Sequence, residues 1–340
     1  MRKGDNPVRN KRIDKAGKSH VIIIPYFISE EAYFLDTLNI LEHCLKSLKT
    51  NSVYDFSVHL VANGSRSVSI ENKLVELHQQ GFIDDLTIIT RPVGKVNAIL
   101  SVLRNVRSPY VTVTDADVLF LPEWDKHVFD VFKNFTKAAA VSPVPIFRTH
   151  NRLTANIWYD YFFSNKLRFE NVVDKESMTR YAKSIGWPWL DEKFKTKYMT
   201  LRSNSNLKAV VGNGHFCVTY NNSVFKALPY ENSEYILGGN SEFKFLDQPA
   251  VLTDGYRLST LTNHAYHMGN RLEPWMLKLA AEFTPVQKER LNVTSKIFKN
   301  KKRLFFIKFK VFKTLLVKFR LLESFYKLKG LMDKELDIFK

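Results

Sequence analysis

Cysteine is scarce. Only Cys44 and Cys217 occur among 340 residues, too few for a disulfide framework or a thiolate zinc site, and a reducing compartment is expected. No apolar run reaches the roughly 18 residues that a membrane-spanning helix needs. The opening stretch MRKGDNPVRNKRIDKAGKSH has no apolar core, so no secretory leader is read there and a cytoplasmic location is expected. Internal repeats and low-complexity segments are missing as well. Acidic residues are outnumbered, 34 against 51 basic ones, for a formal charge of +17.

That excess suggests a polyanion as partner until its distribution is considered. Residues 1–20 carry seven basic and two acidic groups, residues 296–340 fourteen and four, so the stretch between them holds only +2. A nearly neutral body fits nucleic-acid binding poorly. A non-catalytic adaptor working through its basic ends is the non-enzyme alternative.

What is present in quantity is apolar residue, 45% of the chain, enough for a large core. VIIIPYF (21–27), FSVHLVANGS (56–65), LTIITRP (86–92) and YVTVTDADVLF (110–120) read as strands, the first ended by Pro25. Helical patterns at 36–48, 71–80 and 94–106 separate them. Such alternation predicts an α/β chain with a mostly parallel sheet covered by helices on both faces. Ligands of such sheets sit beyond the strands' carboxyl ends. The second half is less regular, with a helix near 125–135, a strand near 138–147, a glycine turn GNGHF (212–216) between two strands, and a loop bearing His264 and His267. The expected organisation is a basic extension (1–19), a first half (20–125), a second half (126–275) and a helical tail (276–340).

The tail reads as a basic amphipathic helix over 296–329, with Phe305, Val311, Phe312, Leu315, Leu316, Phe319, Leu322 and Tyr326 near one face. An anionic membrane surface is the expected partner, each basic residue near it contributing about 1 kcal/mol. A helix packed on the core with a solvated basic face is the alternative.

Asp115 and Asp117 stand one residue apart inside an apolar run. Carboxylates there need a cation, a proton or a hydrogen-bonding ligand. An oxygen pair of this kind suits Mg2+ or Mn2+, which also accept substrate phosphates.

In order and spacing, VIIIPYF, VANGS, GKVNAIL, VTDADVLF, VVGNGHFCVTY and HMGN resemble the nucleotide-sugar glycosyltransferases of the GT-A fold, most closely glycosyltransferase family 2, over about residues 20–270. The resemblance implies a Rossmann-like, mixed and mostly parallel sheet flanked by helices. It also implies transfer of a sugar, with inversion, from a nucleotide-diphosphate donor to a glycan or lipid-linked hydroxyl in glycan synthesis; with the basic tail and the missing leader, a peripheral place at the inner face of the membrane is expected. Carried over by position, it places Pro25, Tyr26, Asn63, Lys95 and Asp115 at the nucleotide. It assigns Asp117, Asp115 and His267 to the metal, with His264 as an outside candidate.

Each assignment has a plainer rival. Pro25 ends a strand, Asn63-Gly64 makes a turn, and Lys95 faces solvent; GKVN lacks the pattern of a phosphate-binding P-loop. The general base is open, because GGNSEFKFLDQPAVLTDGY replaces the family's usual Glu-Asp pair. Asp247 and Glu242 both fit the region, with Asp247 preferred although it also suits an N-cap for QPAVL. Trp187 and Trp189 are candidates to stack on a sugar. A sugar nucleotidyltransferase is the rival enzyme class, disfavoured by the lack of glycine after the first strand.

Overall fold

The computed structural model describes residues 4–5, 9–10, 18–187 and 192–339. Trp189 and most of the basic N-terminal extension lie outside them. Four parallel strands open the fold: β1 (His20–Ile28), β2 (Ser57–Gly64), β3 (Asp85–Ile89) and β4 (Tyr110–Thr114). Their connections are α1 (Thr37–Asn51), α2 (Val68–Gln79) and α3 (Lys95–Leu103). Alternation along β1 explains the layering. Ile22, Ile24 and Tyr26 enter the core that includes Leu41, Leu45 and Leu48 of α1, while Val21 and Ile23 enter the core formed with Val96, Ile99 and Leu103 of α3. With both faces covered, the strand is apolar almost throughout.

Pro25 does not end β1, which runs on to Ile28. Pairing with β4 stops at Ile23 whereas pairing with β2 continues to Ile28. From Pro25 onward β1 is therefore an edge on one side, where a missing N–H is tolerated.

The run 110–120 is not one strand. β4 ends at Thr114, and β5 (Val118–Phe120) leaves the main sheet to pair antiparallel with β12 (Ala265–His267). Asp115 and Asp117 occupy this change of sheet, which is why the apolar pattern breaks there.

The second half continues the same sheet. It contributes α4 (Trp124–Asn134), β6 (Ala138–Ser142), α5 (Ala155–Asp160), β7 (Leu167–Asn171), α6 (Lys175–Ser184), β8 (Lys197–Arg202), β9 (Lys208–Val211), β10 (Cys217–Asn221), α7 (Gln248–Leu252), β11 (Tyr256–Ser259) and α8 (Pro274–Ala281). The ten-stranded order is β3-β2-β1-β4-β10-β6-β11-β9-β8-β7. Only β7, β9 and β10 oppose the common direction, so the sheet is mixed and mostly parallel.

The tail is not a single amphipathic helix. Helical pieces cover 302–305, 306–312, 313–318 and 321–328, the last preceded by Arg320 with a left-handed φ of 54°. Leu316 and Tyr326, expected on an outer apolar face, are buried. Tyr326 lies against Trp158, His150 and Phe169, and the amide of Phe169 in β7 donates to the Lys329 carbonyl at 2.7 Å. The plainer reading of the tail, a helix packed on the core, holds for this face.

Candidate active site

The β4–β5 junction projects both aspartates beyond the parallel strands. The Asp115 amide donates to the Phe216 carbonyl at 2.7 Å, and the Asp117 carbonyl accepts from the Met268 amide at 2.7 Å, so both backbone positions are fixed by neighbouring segments. Asp115 Oδ1 lies 2.6 Å from Lys95 Nζ, which lies 2.6 Å from Glu242 Oε1. Burial disfavours the Lys95 ammonium, but the charges of Asp115 and Glu242 outweigh it and raise the pKa. Burial likewise pushes the Glu242 carboxyl up, while Lys95 and His215 hold it below its usual value.

Lys95 is positioned by Gly94. That residue has φ +86°, and a Cβ there would lie 2.6 Å from the Ile236 Cα. Glycine alone accepts this backbone and this approach. The Gly94 amide donates to Asn63 Oδ1 at 3.2 Å, and the Lys95 amide to the Ile236 carbonyl at 3.0 Å. The segment leading to Glu242 is thereby tied to the start of α3.

On the other side, Asp117 Oδ2 stands 3.3 Å from His267 Nε2. His267 Nδ1 and Ser184 Oγ are 3.0 Å apart; with Nδ1–H donating to the serine, Nε2 keeps its lone pair. Burial raises the Asp117 pKa against the opposing pull of His267. Asp117 Oδ1 is buried without a hydrogen-bond partner among the described residues. One donor atom each from Asp115, Asp117 and His267 falls within 4.8 Å of the others. Two carboxylates and an imidazole, with an orphaned oxygen among them, fit a divalent cation such as Mn2+ or Mg2+.

Of the other candidates, Tyr26 is buried with its hydroxyl 3.2 Å from Thr37 Oγ1, and Pro25 is buried in β1. Neither side chain joins the aspartates. Asn63 is buried, donating to the Tyr26 carbonyl at 3.4 Å besides accepting from Gly94. His264 stacks on His127 at 3.8 Å, outside the cluster, and burial pulls its pKa to about 3.

Of the two candidate bases, Asp247 is the more enclosed. Its side chain is 4% exposed, against 26% for Glu242, and it is sealed against Arg257 at 2.8 Å, with His215 Nε2 at 3.5 Å. Glu242 is the more open of the two and lies beside Lys95. Asp247 does not cap α7, since its side chain makes no capping hydrogen bond.

Trp187 is partly exposed and packs on Phe147 at 5.6 Å between centroids. Sequence reasoning missed Ser184, Phe216, His215 and Arg257. Phe216 stands edge-on to His267 at 5.5 Å. Arg257 carried a signal, following the Gly255-Tyr256 pair used to locate the base, and His215 and Phe216 lie in the GNGHF turn singled out above.

The profile of glycosyl transferase family 2 matches residues 21–226, more than half of the chain. The chain belongs to glycosyl transferase family 2. The match takes in β1 to β10 and the aspartate pair, and stops before Glu242 and His267. No curated protein matches this family 2 chain. Among solved structures, it is similar to the mannosyltransferase PcManGT from Pyrobaculum calidifontis in complex with GDP-Man and Mn2+, at 16% identity and a TM-score of 0.37, covering 73% of this chain and 56% of that one. S. aureus TarS is similar at 12% identity and a TM-score of 0.39, covering 94% and 50%. The family 2 chain thus spans about half the length of each.

Proposed function

We propose that the protein is a metal-dependent glycosyltransferase that moves a sugar from a nucleotide-diphosphate donor to a hydroxyl of a glycan or lipid-linked acceptor, with inversion. The reading places it in cell-surface or polysaccharide synthesis, at the inner face of an anionic membrane held by its basic tail. The observation that carries the catalytic part is the convergence of Asp115, Asp117 and His267 within 4.8 Å at the strand ends, next to the Lys95–Glu242 pair.

In this reading Asp117 and His267 hold Mn2+ or Mg2+ with help from Asp115, and Ser184 keeps the imidazole turned. When bound, the metal would offset the charge of the departing diphosphate. Lys95 is the cation at hand for that diphosphate. Glu242 accepts the acceptor's hydroxyl proton as the oxygen attacks the anomeric carbon. Its pairing with Lys95 keeps it a weak base in the free protein, and engagement of Lys95 by the donor releases it. Asp247 and Arg257 support the turn that carries Glu242.

The test is donor hydrolysis and transfer over a panel of nucleotide sugars with Mn2+ or Mg2+. Full turnover by Asp117→Ala would remove the metal role; release of pyrophosphate from a nucleoside triphosphate supplied with a sugar 1-phosphate, with no transfer from any nucleotide sugar, would replace this reading with nucleotidyl transfer.

A further inference from the structure

The tail has two apolar faces, and the fold uses one of them. Leu316, Phe325 and Tyr326 are buried against the body. Between them and the sheet lies a closed ring of charge. Lys308 Nζ is 2.6 Å from Asp160 Oδ1 and 2.8 Å from Asp254 Oδ1, and Lys137 Nζ is 2.6 and 2.8 Å from the second oxygens of the same two aspartates. The Tyr256 hydroxyl donates to Asp160 at 2.6 Å. Two lysines and two aspartates in this arrangement satisfy one another, which lets Lys308 be buried, and they fix which way the helix is turned.

That rotation leaves the other face outward. Phe306, Ile307, Val311, Leu315, Val317 and Phe319 are exposed, the two phenylalanines by 60% and 61%. Ile307, Val311 and Leu315 recur every fourth residue through the π-helical piece 306–312 into the α-helical piece 313–318, and all three are exposed, an outward row along the tail. Between residues 296 and 339, ten exposed side chains are Lys or Arg and three are Asp or Glu. A patch both apolar and cationic calls for a covering that is both apolar and anionic.

We propose that this outward line is a pre-formed insertion surface for an anionic lipid bilayer, carried rigidly by the docked tail. The proposal rests on the membrane-surface reading above and deepens it by assigning the inserting residues and by making the tail part of the folded body. Acyl chains cover the phenylalanine, valine and leucine side chains while headgroup phosphates meet the flanking Lys302, Arg303, Lys310 and Lys318. A nucleic acid would leave the apolar line in water. Among the described residues no helix is long and apolar enough to cross a membrane, so insertion is confined to the interface.

The experiment is flotation of the full chain with phosphatidylcholine vesicles, with and without phosphatidylglycerol, comparing wild type with the triple variant Ile307→Ser, Val311→Ser, Leu315→Ser. Expected are binding that requires phosphatidylglycerol, a loss of more than about tenfold in affinity in the triple variant, and circular dichroism unchanged by vesicles. Unaltered binding by the triple variant overturns the proposal. So does a large vesicle-induced gain in helicity, or a wild-type dimer that the triple variant turns into monomer. Donor hydrolysis without vesicles is read in parallel: its absence in wild type counts against the catalytic reading and leaves the vesicle result standing. A Leu316→Ser control should instead lower Tm, because that side chain faces inward.

Discussion

Lys95 and Glu242, 147 residues apart in the chain, meet with Nζ 2.6 Å from Oε1. The contact joins the start of α3 to the π-helical segment Phe243–Asp247, which Glu242 precedes. Glu242→Gln is expected to cut transfer by about 10²–10⁴-fold, the usual contribution of a positioned acid or base, with affinity for nucleoside diphosphate little changed. Asp247→Asn should act differently. It leaves Arg257 buried without its counter-charge, and stability is expected to fall by about 3–5 kcal/mol. Steady-state kinetics and thermal unfolding of the two variants separate the roles.

The metal cluster predicts a graded series in cation affinity. Mn2+ should raise the Tm of the wild type by binding the folded state, and Asp117→Ala or His267→Ala should abolish the rise. Ser184→Ala removes only the group that turns His267, so a loss of about 10–100-fold in Mn2+ affinity is expected, with binding retained at higher concentration. Titration calorimetry with Mn2+ alone reads this without catalysis. A wild-type affinity in Ser184→Ala would show that the hydrogen bond does not orient the ligand.

Much of the fold is legible in the sequence. The alternation of strands and helices carries the sheet, and the odd placing of Asp115 and Asp117 marks the change of sheet between β4 and β5, where a broken apolar pattern shows packing giving way. The choice of base stays open in the sequence for a local reason. Spacing from Gly255 cannot say which carboxylate faces the cleft when the intervening turn is π-helical, since the wider turn shifts the facing of every residue before it. Ser184 was invisible, because nothing along the chain links α6 to β12 until the two strands β5 and β12 pair. The tail reads as one apolar face because a helical wheel shows neither the π-helical turn over 306–312 nor the left-handed Arg320 that interrupts it.

Gly94→Ala tests the placement of Lys95. A side chain there combines a left-handed φ with contact on the Ile236 backbone. A cost of about 1–3 kcal/mol is expected from backbone strain. Because the Lys95 amide is bonded to Ile236, kcat should fall along with stability. A variant with normal kcat and lowered Tm would separate the two effects.

Two buried histidines, His20 and His150, and the half-buried His264 set the acid limit. His20, His150 and His264 have pKa values pulled from 6.5 to about 3, in each case chiefly by burial. Below pH 6.5 the unfolded chain takes up protons on these imidazoles, while the folded chain resists until about pH 3. Protonation therefore favours unfolding, and stability is expected to fall steadily as pH drops through that window. Burial is deepest at His20, whose Nε2 lies 2.6 Å from Thr112 Oγ1. Urea midpoints measured across the window should show the slope, and His20→Asn should flatten part of it.

Removing residues 296–340 tests whether the tail is an appendage or part of the fold. Phe298, Leu316, Phe325, Tyr326 and Phe339 are buried, and His150 on the body is ringed by Phe169, Tyr326 and Phe339. Truncation would strip that covering and leave Asp160 and Asp254 with Lys137 as their only described lysine partner. Loss of one large buried aromatic costs about 3–5 kcal/mol, and whole-domain stability is on the order of 5–15 kcal/mol. Removing several together should exceed it. The truncated chain is expected to be insoluble or to lack cooperative unfolding by circular dichroism, whereas the triple substitution on the outward face, Ile307→Ser with Val311→Ser and Leu315→Ser, should keep the wild-type Tm. A soluble, cooperatively folded 1–295 fragment would mean that the inward face of the tail is dispensable to the core it covers.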